Sequence, residues 1–195
     1  MLGFTDETWW SRVAQPQAHS WVEASEGPLR LLEQTAPKGD PDPKALACYG
    51  VLLRQAGERE RVWLRFVDGR PVSAITEQFL GWCCARLQEA GVRVWVLIWD
   101  NASWHVSKRV RAWMRAWMRT HNRAVKQEGQ GVRIVSCYLP VKSPWLNPIE
   151  PKWVHGKRAI VEPARLLSAH EVADRVCAYF DCSHESHLTI PDQVA

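Results

Sequence analysis

A chain of 195 residues with 46% hydrophobic composition is long enough for one ordinary core. No apolar run approaches the roughly 18 residues needed to cross a bilayer, and the opening MLGFTDE lacks the basic and apolar regions of a signal peptide, so the reading is of a soluble, cytoplasmic protein. The formal charge of +4 is unevenly spread: residues 100–158 hold 12 Lys and Arg against 3 Asp and Glu, leaving a net of −5 elsewhere. Such segregation marks either a polyanion-binding face or a solvated helix surface.

In chain order, residues 3–13 (GFTDETWWSRV) are rich in aromatic and β-branched residues and predict a strand. Side chains alternate along a strand, so Asp6 and Glu7 point to opposite faces and only one of them can enter a given site. Residues 14–44, with prolines at 16, 28, 37, 41 and 43, predict a long irregular connection with one short possible strand around Trp21. Asp40 and Asp42 in GDPDP read as turn formers. Two strands follow at 45–53 and 61–67, the second closed by Asp68 and Gly69.

Residues 72–90 carry Ile75, Phe79, Trp82, Cys83 and Leu87 at helical spacing and predict an amphipathic helix ending before Gly91. The run VRVWVLIW at 92–99 predicts a central strand buried on both faces, closed by Asp100. Ligands in open α/β sheets bind outside the carboxyl ends of strands, which is where Asp100 falls. In the helix beyond it, Val106, Val110, Trp113, Trp117 and His121 share one face with Met114 and Met118 beside them, while Arg111, Arg115, Arg119 and Arg123 recur every fourth residue on another. The apolar stripe packs and the arginine stripe faces outward.

A last strand is expected at 132–138, then LPVKSP crosses its end. Asn147, Pro148, Ile149 and Glu150 fit a helix start with Asn147 as N-cap and Glu150 in a capping-box role, yet Pro151 disfavours helical geometry at Glu150 and also allows a helix beginning one residue later. Residues 162–181 predict one further helix. The six cysteines lie mostly in apolar runs and read as reduced, buried thiols. Cys177, Cys182, His184 and His187 do not follow an ordinary zinc spacing, and no glycine-rich phosphate loop points to a nucleotide cofactor.

The blocks FTDETWW, IWDNASWH and LPVKSPWLNPIEPKW, in that order, resemble the three catalytic blocks of DDE transposases, and more narrowly the bacterial insertion sequence 630 branch of the mariner-like superfamily. The resemblance spans roughly residues 1–160. It implies an α/β ribonuclease H-like fold, a mixed five-stranded sheet flanked by helices, with the first strand beside the strand that ends at Asp100 and the Glu150 helix across their ends. It divides the chain into a catalytic domain at 1–161 and a helical extension and tail at 162–195. Family members carry a helix-turn-helix domain upstream of the first aspartate; five residues precede Asp6 here, so that domain is read as absent.

The resemblance implies Asp6, Asp100 and Glu150 as catalytic residues and metal ligands, with Asn101, His105 and Asn147 supporting them. Three carboxylates offer hard oxygen donors, which suit two Mg²⁺ or Mn²⁺ ions rather than zinc. Double-stranded DNA, as transposon ends and target, is the implied partner of a homodimer associated with the nucleoid. Arg111, Arg115, Arg119, Arg123, Lys142, Lys152, Lys157 and Arg158 are the candidate phosphate contacts. The expected reaction is phosphodiester hydrolysis and strand transfer. A ribonuclease H-like nuclease or resolvase, and a remnant that binds DNA without cutting, are the alternatives.

Overall fold

A computed structural model describes residues 1–13, 36–160 and 165–190. The expected connection at 14–44 lies mostly outside these residues, as does the possible strand around Trp21. Ten elements are ordered β1 (Leu2–Ser11), β2 (Ala45–Arg54), β3 (Arg61–Asp68), α1 (Ser73–Glu89), β4 (Val94–Trp99), α2 (Lys108–Gln127), β5 (Arg133–Tyr138), α3 (Glu150–Ile160), α4 (Ala169–Tyr179) and β6 (Leu188–Thr189), with a 3-10 turn at Pro144–Leu146 before α3. They build one sheet in the order β5-β4-β1-β2-β3-β6. The first three strands form an antiparallel meander; β4 and β5 run parallel to β1. This is the ribonuclease H-like arrangement, with six strands rather than the five expected. The sixth is a two-residue segment parallel to β3, too short to leave a periodic pattern in the sequence.

A core lies on each face of the sheet. On one, Ile75, Phe79 and Leu87 of α1 and Val110 and Met114 of α2 pack on Tyr49, Trp95, Leu97 and Trp99. On the other, Ile149 beside α3, its Trp153, and Val172 and Val176 of α4 cover Trp10, Leu46, Leu52 and Phe66. Gly156 of α3 admits this contact, since a Cβ there would stand 2.9 Å from the Trp10 ring. The continuous apolar run at 92–99 is therefore only half explained by burial. Trp95, Leu97 and Trp99 are buried, whereas Val96 and Ile98 are partly exposed because α3 and α4 do not reach β4. For the same reason Cys137 on β5 is exposed, which corrects the expectation of uniformly buried thiols; all six cysteines are free.

The helix after Asp100 starts later than its apolar stripe suggests, with Ser107 as N-cap, so Val106 precedes it. Among its described residues none after Met114 is buried, and its second half runs past the core with Arg111, Arg115, Arg119 and Arg123 exposed. The expected helix at 162–181 is shorter, beginning at Ala169 behind a capping box of Ser168 and Glu171. Asp40 and Asp42 act as the turn formers expected and also hold the buried Arg12, whose guanidinium lies 2.9 Å from Asp40 and 3.5 Å from Asp42.

Candidate active site

The β1–β4 ladder pairs Leu2 with Val96 and Phe4 with Ile98. Continued by two residues, that register brings Asp6 level with Asp100, just past the carboxyl end of β4. Glu150 is the first residue of α3. Asp6, Asp100 and Glu150 line one cavity of about 340 Å³, together with Asn101, Asn147 and Lys142. Three elements distant in sequence thus present their acids to a common space.

Asp6 is oriented from α3, which packs on its own face of the sheet. The Trp153 indole N–H donates to its Oδ2 at 2.9 Å. Trp153 can lie that close because Gly50, the register partner of Asp6 on β2, has no side chain; a Cβ there would fall 2.4 Å from the ring. Burial pushes the Asp6 carboxyl up, the charges of Glu150 and Glu7 add to this, and the Trp153 bond only partly opposes them, so its pKa rises to about 8.

Asp100 has the opposite environment. Its Oδ1 accepts from the Ala102 backbone N–H at 2.9 Å and from His105 Nδ1 at 2.7 Å. The His105 bond outweighs partial burial and holds the Asp100 carboxyl below its ordinary value. No hydrogen bond from the described residues reaches its Oδ2. His105 is buried, stacked on Trp99 with ring centroids 4.9 Å apart, and its Nε2 meets Glu7 Oε1 at 2.8 Å. Burial disfavours the imidazolium, but Glu7 and Asp100 overcome it and raise its pKa to about 10. A protonated His105 therefore donates to a carboxylate on each side. Trp104 fixes Glu7 further through its Nε1, 3.2 Å from Oε2.

Glu7 is the residue that sequence reasoning set aside. It does face away from the cavity, as strand alternation requires, yet it reaches the cavity's edge through His105. A separation of 98 residues left no local signal, although an acid beside Asp6 on the buried face of a strand demanded a partner. Trp153 and Gly50 were likewise not singled out for the site.

Glu150 could have been consumed by capping its own helix. The Asn147 backbone N–H is instead bonded to Pro144 O at 2.8 Å, and the Asn147 amide donates to Thr5 O on β1 at 3.0 Å. Its Oδ1 makes only a long contact, 3.5 Å, with the Ile149 N–H. The capping box is not closed, and Glu150 faces the cavity. Its carboxyl is raised by burial, opposed by Lys157 and reinforced by Asp100.

The remaining candidates divide. Asn101 lines the cavity, with its amide donating to Leu139 O at 2.7 Å. Lys142, at φ 58°, lines the cavity too, and Lys157 is near enough to act on Glu150. Lys152 turns away to pair with Glu60 at 3.0 Å. Arg158 is exposed, and the arginines of α2 stand apart from the cavity. The cavity thus offers hard carboxylate oxygens while both nitrogens of the nearby histidine are taken. This donor set fits Mg²⁺ or Mn²⁺. A cation there would offset the burial, and the neighbouring negative charge that adds to it, which together raise the Asp6 carboxyl.

Comparison with solved structures finds the same fold in the Mos1 transposase. The paired-end complex with the left transposon end aligns with a TM-score of 0.64 at 16% identity, over 93% of this chain and 48% of that one. The Mos1 mariner paired-end complex with Mn gives 0.60 at 16% identity, over 93% and 48%. The pre-cleavage Mos1 transpososome gives 0.57 at 14% identity, over 94% and 49%. At such identities the likeness is one of fold, and the chain spans about half the length of the Mos1 chains it matches. No curated protein matches it in sequence. A family profile described as DDE superfamily endonuclease matches residues 47–172, well over half of the chain, and the chain belongs to that superfamily.

Proposed function

We propose that this chain is the catalytic part of a DNA transposase of the bacterial insertion sequence 630 branch, which cuts and joins DNA with Asp6, Asp100 and Glu150. The observation that carries this reading is the convergence of those three acids, from β1, the end of β4 and the start of α3, on one cavity. DDE endonucleases use divalent metal ions. Two Mg²⁺ or Mn²⁺ ions held by the three carboxylates supply Lewis-acid stabilisation of the charge that builds on phosphorus-bound oxygens.

The chain's own residues supply position and charge. The Glu7–His105 pair sets the rotation of the Asp100 carboxylate, Trp153 sets that of Asp6, and Asn147 locks the start of α3 to β1. Lys142 and Lys157 flank the cavity with positive charge for a phosphodiester. Water attacking phosphorus breaks the bond to the 3′ oxygen and leaves a 3′ hydroxyl and a 5′ phosphate. That hydroxyl, attacking a target phosphodiester, forms a new strand and expels the target's own 3′ oxygen. The substrates are the transposon ends and target duplex, handled by a homodimer at the nucleoid. Residues 1–161 form the catalytic domain and 162–195 its extension.

Incubation with supercoiled plasmid and Mg²⁺ or Mn²⁺ tests the reading, alongside joining of a labelled duplex bearing a free 3′ hydroxyl. The wild-type chain is expected to nick and join, and Asp100→Asn to do neither. Nicking that persists undiminished in Asp100→Asn sinks the three-acid assignment. Nicking without joining favours a hydrolytic nuclease or resolvase, and DNA binding without either favours a remnant.

A further inference from the structure

α4 and the segment beyond it assemble a second group of metal-ligating side chains. His170 and Asp174 stand one turn apart on α4, and His184 returns to them from the following loop. Asp174 bridges the two imidazoles: its Oδ2 lies 2.8 Å from His170 Nδ1 and its Oδ1 2.7 Å from His184 Nδ1. One donor atom from each of the three residues lies within 4.8 Å of those of the other two.

The backbone beneath this group is well held. The capping box of Ser168 and Glu171 fixes the first turn of α4, where His170 sits. The loop bearing His184 is tied by the Cys182 N–H to Cys177 O at 3.0 Å, by the Arg86–Glu185 pair at 2.7 Å, and by Arg65 Nε to Ser186 O at 3.0 Å. The His184 ring also packs edge-on against buried Phe66, with centroids 5.7 Å apart. His170 and Asp174 are exposed, which leaves an open path for an ion. The nearby alternatives are engaged elsewhere: His187 pairs with Asp68 at 2.6 Å, and the Cys182 thiol points to the Cys177 carbonyl.

We propose that His170, Asp174 and His184 form a zinc site separate from the acid cavity. Two imidazoles and one carboxylate, with a fourth position open to water, make a common zinc ligand set. Tetrahedral ligands about 2.0–2.1 Å from the ion stand about 3.3 Å apart, so the two Asp174 contacts open by about half an ångström while donor atoms up to 4.8 Å apart close by as much as about 1.5 Å. The exposed His170 ring has room for this. The two sites sort metals by donor type, since imidazole suits zinc while the all-carboxylate cavity suits Mg²⁺ and Mn²⁺. A bound ion pins residues 182–187 to α4, which packs on the α3 helix that carries Glu150.

The test is titration of metal-stripped full chain with Zn²⁺ alone, read by competition with a chromophoric chelator. One Zn²⁺ per chain is expected. His170→Ala, Asp174→Asn and His184→Ala should each weaken it at least about tenfold, whereas His187→Ala and Asp100→Asn leave it unchanged. A millimolar excess of Mg²⁺ should not displace it. Wild-type Zn²⁺ affinity in His170→Ala or Asp174→Asn, both at exposed positions that leave the core intact, overturns the proposal. So does loss of the bound Zn²⁺ in Asp100→Asn, which assigns the ion to the acid cavity.

Discussion

Asp6 and Glu7 are neighbours on β1, carry the same charge and point to opposite faces of the sheet. On one face Asp6 meets an indole N–H and another carboxylate; on the other Glu7 meets a buried imidazolium. Without a metal, one acid holds a proton up to about pH 8, while the other stays ionised against the imidazolium. The contrast teaches where a cation is called for: a carboxylate whose neighbours are acids has an unmet requirement, whereas one paired with His105 serves to hold something else. Asp100 lies between the two situations, with one oxygen tied to His105 and no protein partner for the other among the described residues.

The sharpest way to break this contrast is to neutralise each acid in turn and measure metal-dependent nicking. On the proposed three-acid assignment, Asp6→Asn removes a metal ligand and several kcal/mol of charge stabilisation, so the rate should fall by on the order of 10³-fold or more. Glu7→Gln leaves the ligands in place. An equal collapse in Glu7→Gln, with metal binding abolished, would show that both faces act as one ligand set.

The same pair separates in stability against pH. The Asp6 pKa is raised in the fold from 3.8 to about 8. The folded state therefore holds a proton that the unfolded chain gives up. Its stabilising effect is complete below about pH 4 and is lost as pH rises through 8. Without metal, wild type should lose on the order of a few kcal/mol relative to Asp6→Asn across that window, and millimolar Mn²⁺ should restore part of it. Urea unfolding at pH 5 and pH 8.5, with and without Mn²⁺, measures the difference. A parallel pH response in the two proteins would rule out the crowded carboxyl.

For the Glu7 face, effects of the size seen when a residue behind a metal ligand is removed are expected, about 10–100-fold in Mn²⁺ affinity or nicking. Glu7→Gln and His105→Ala should raise the Mn²⁺ concentration for half-maximal nicking, and the double variant should cost little more than either alone, because both act through Asp100 Oδ1. Additive losses would mean that Glu7 and His105 act independently.

Much of this was legible because it is local. The apolar run before Asp100 predicted a strand that ends there, and the arginine spacing predicted an exposed stripe. Glu150 was ambiguous for a physical reason: Asn147 to Glu150 and Ser168 to Glu171 share the pattern of a capping box, and only the second closes one. Glu171, half-exposed, accepts from Arg165 and the Ser168 N–H, and its pKa falls to about 2. Glu150 is released because the Asn147 N–H belongs to the preceding 3-10 turn and its amide to β1. Neither fact can be read from four residues. Gly50 beneath Trp153, Glu7 behind His105 and the open face that exposes Cys137 all depend on register between distant strands, which local periodicity does not encode.

The arginines of α2 provide the mildest test of the contrast. α2 packs on the Glu7 side of the sheet, and Arg111, Arg115, Arg119 and Arg123 point outward from it, whereas Lys142 and Lys157 stand with the acids. If DNA follows both groups, the α2 cations contribute to association and the cavity cations to the reacting phosphate. Reversing Arg111, Arg115 and Arg119 to Glu should weaken duplex binding about tenfold at 0.15 M salt and lower the salt slope by up to about 3, near 0.9 for each phosphate no longer neutralised. The single-turnover nicking rate of saturated DNA should stay within about twofold of wild type. Lys157→Ala should do the reverse, slowing nicking of bound DNA with little change in the salt slope. Binding that is indifferent to the three arginines would return α2 to solvated surface and confine the DNA path to the Asp6 face.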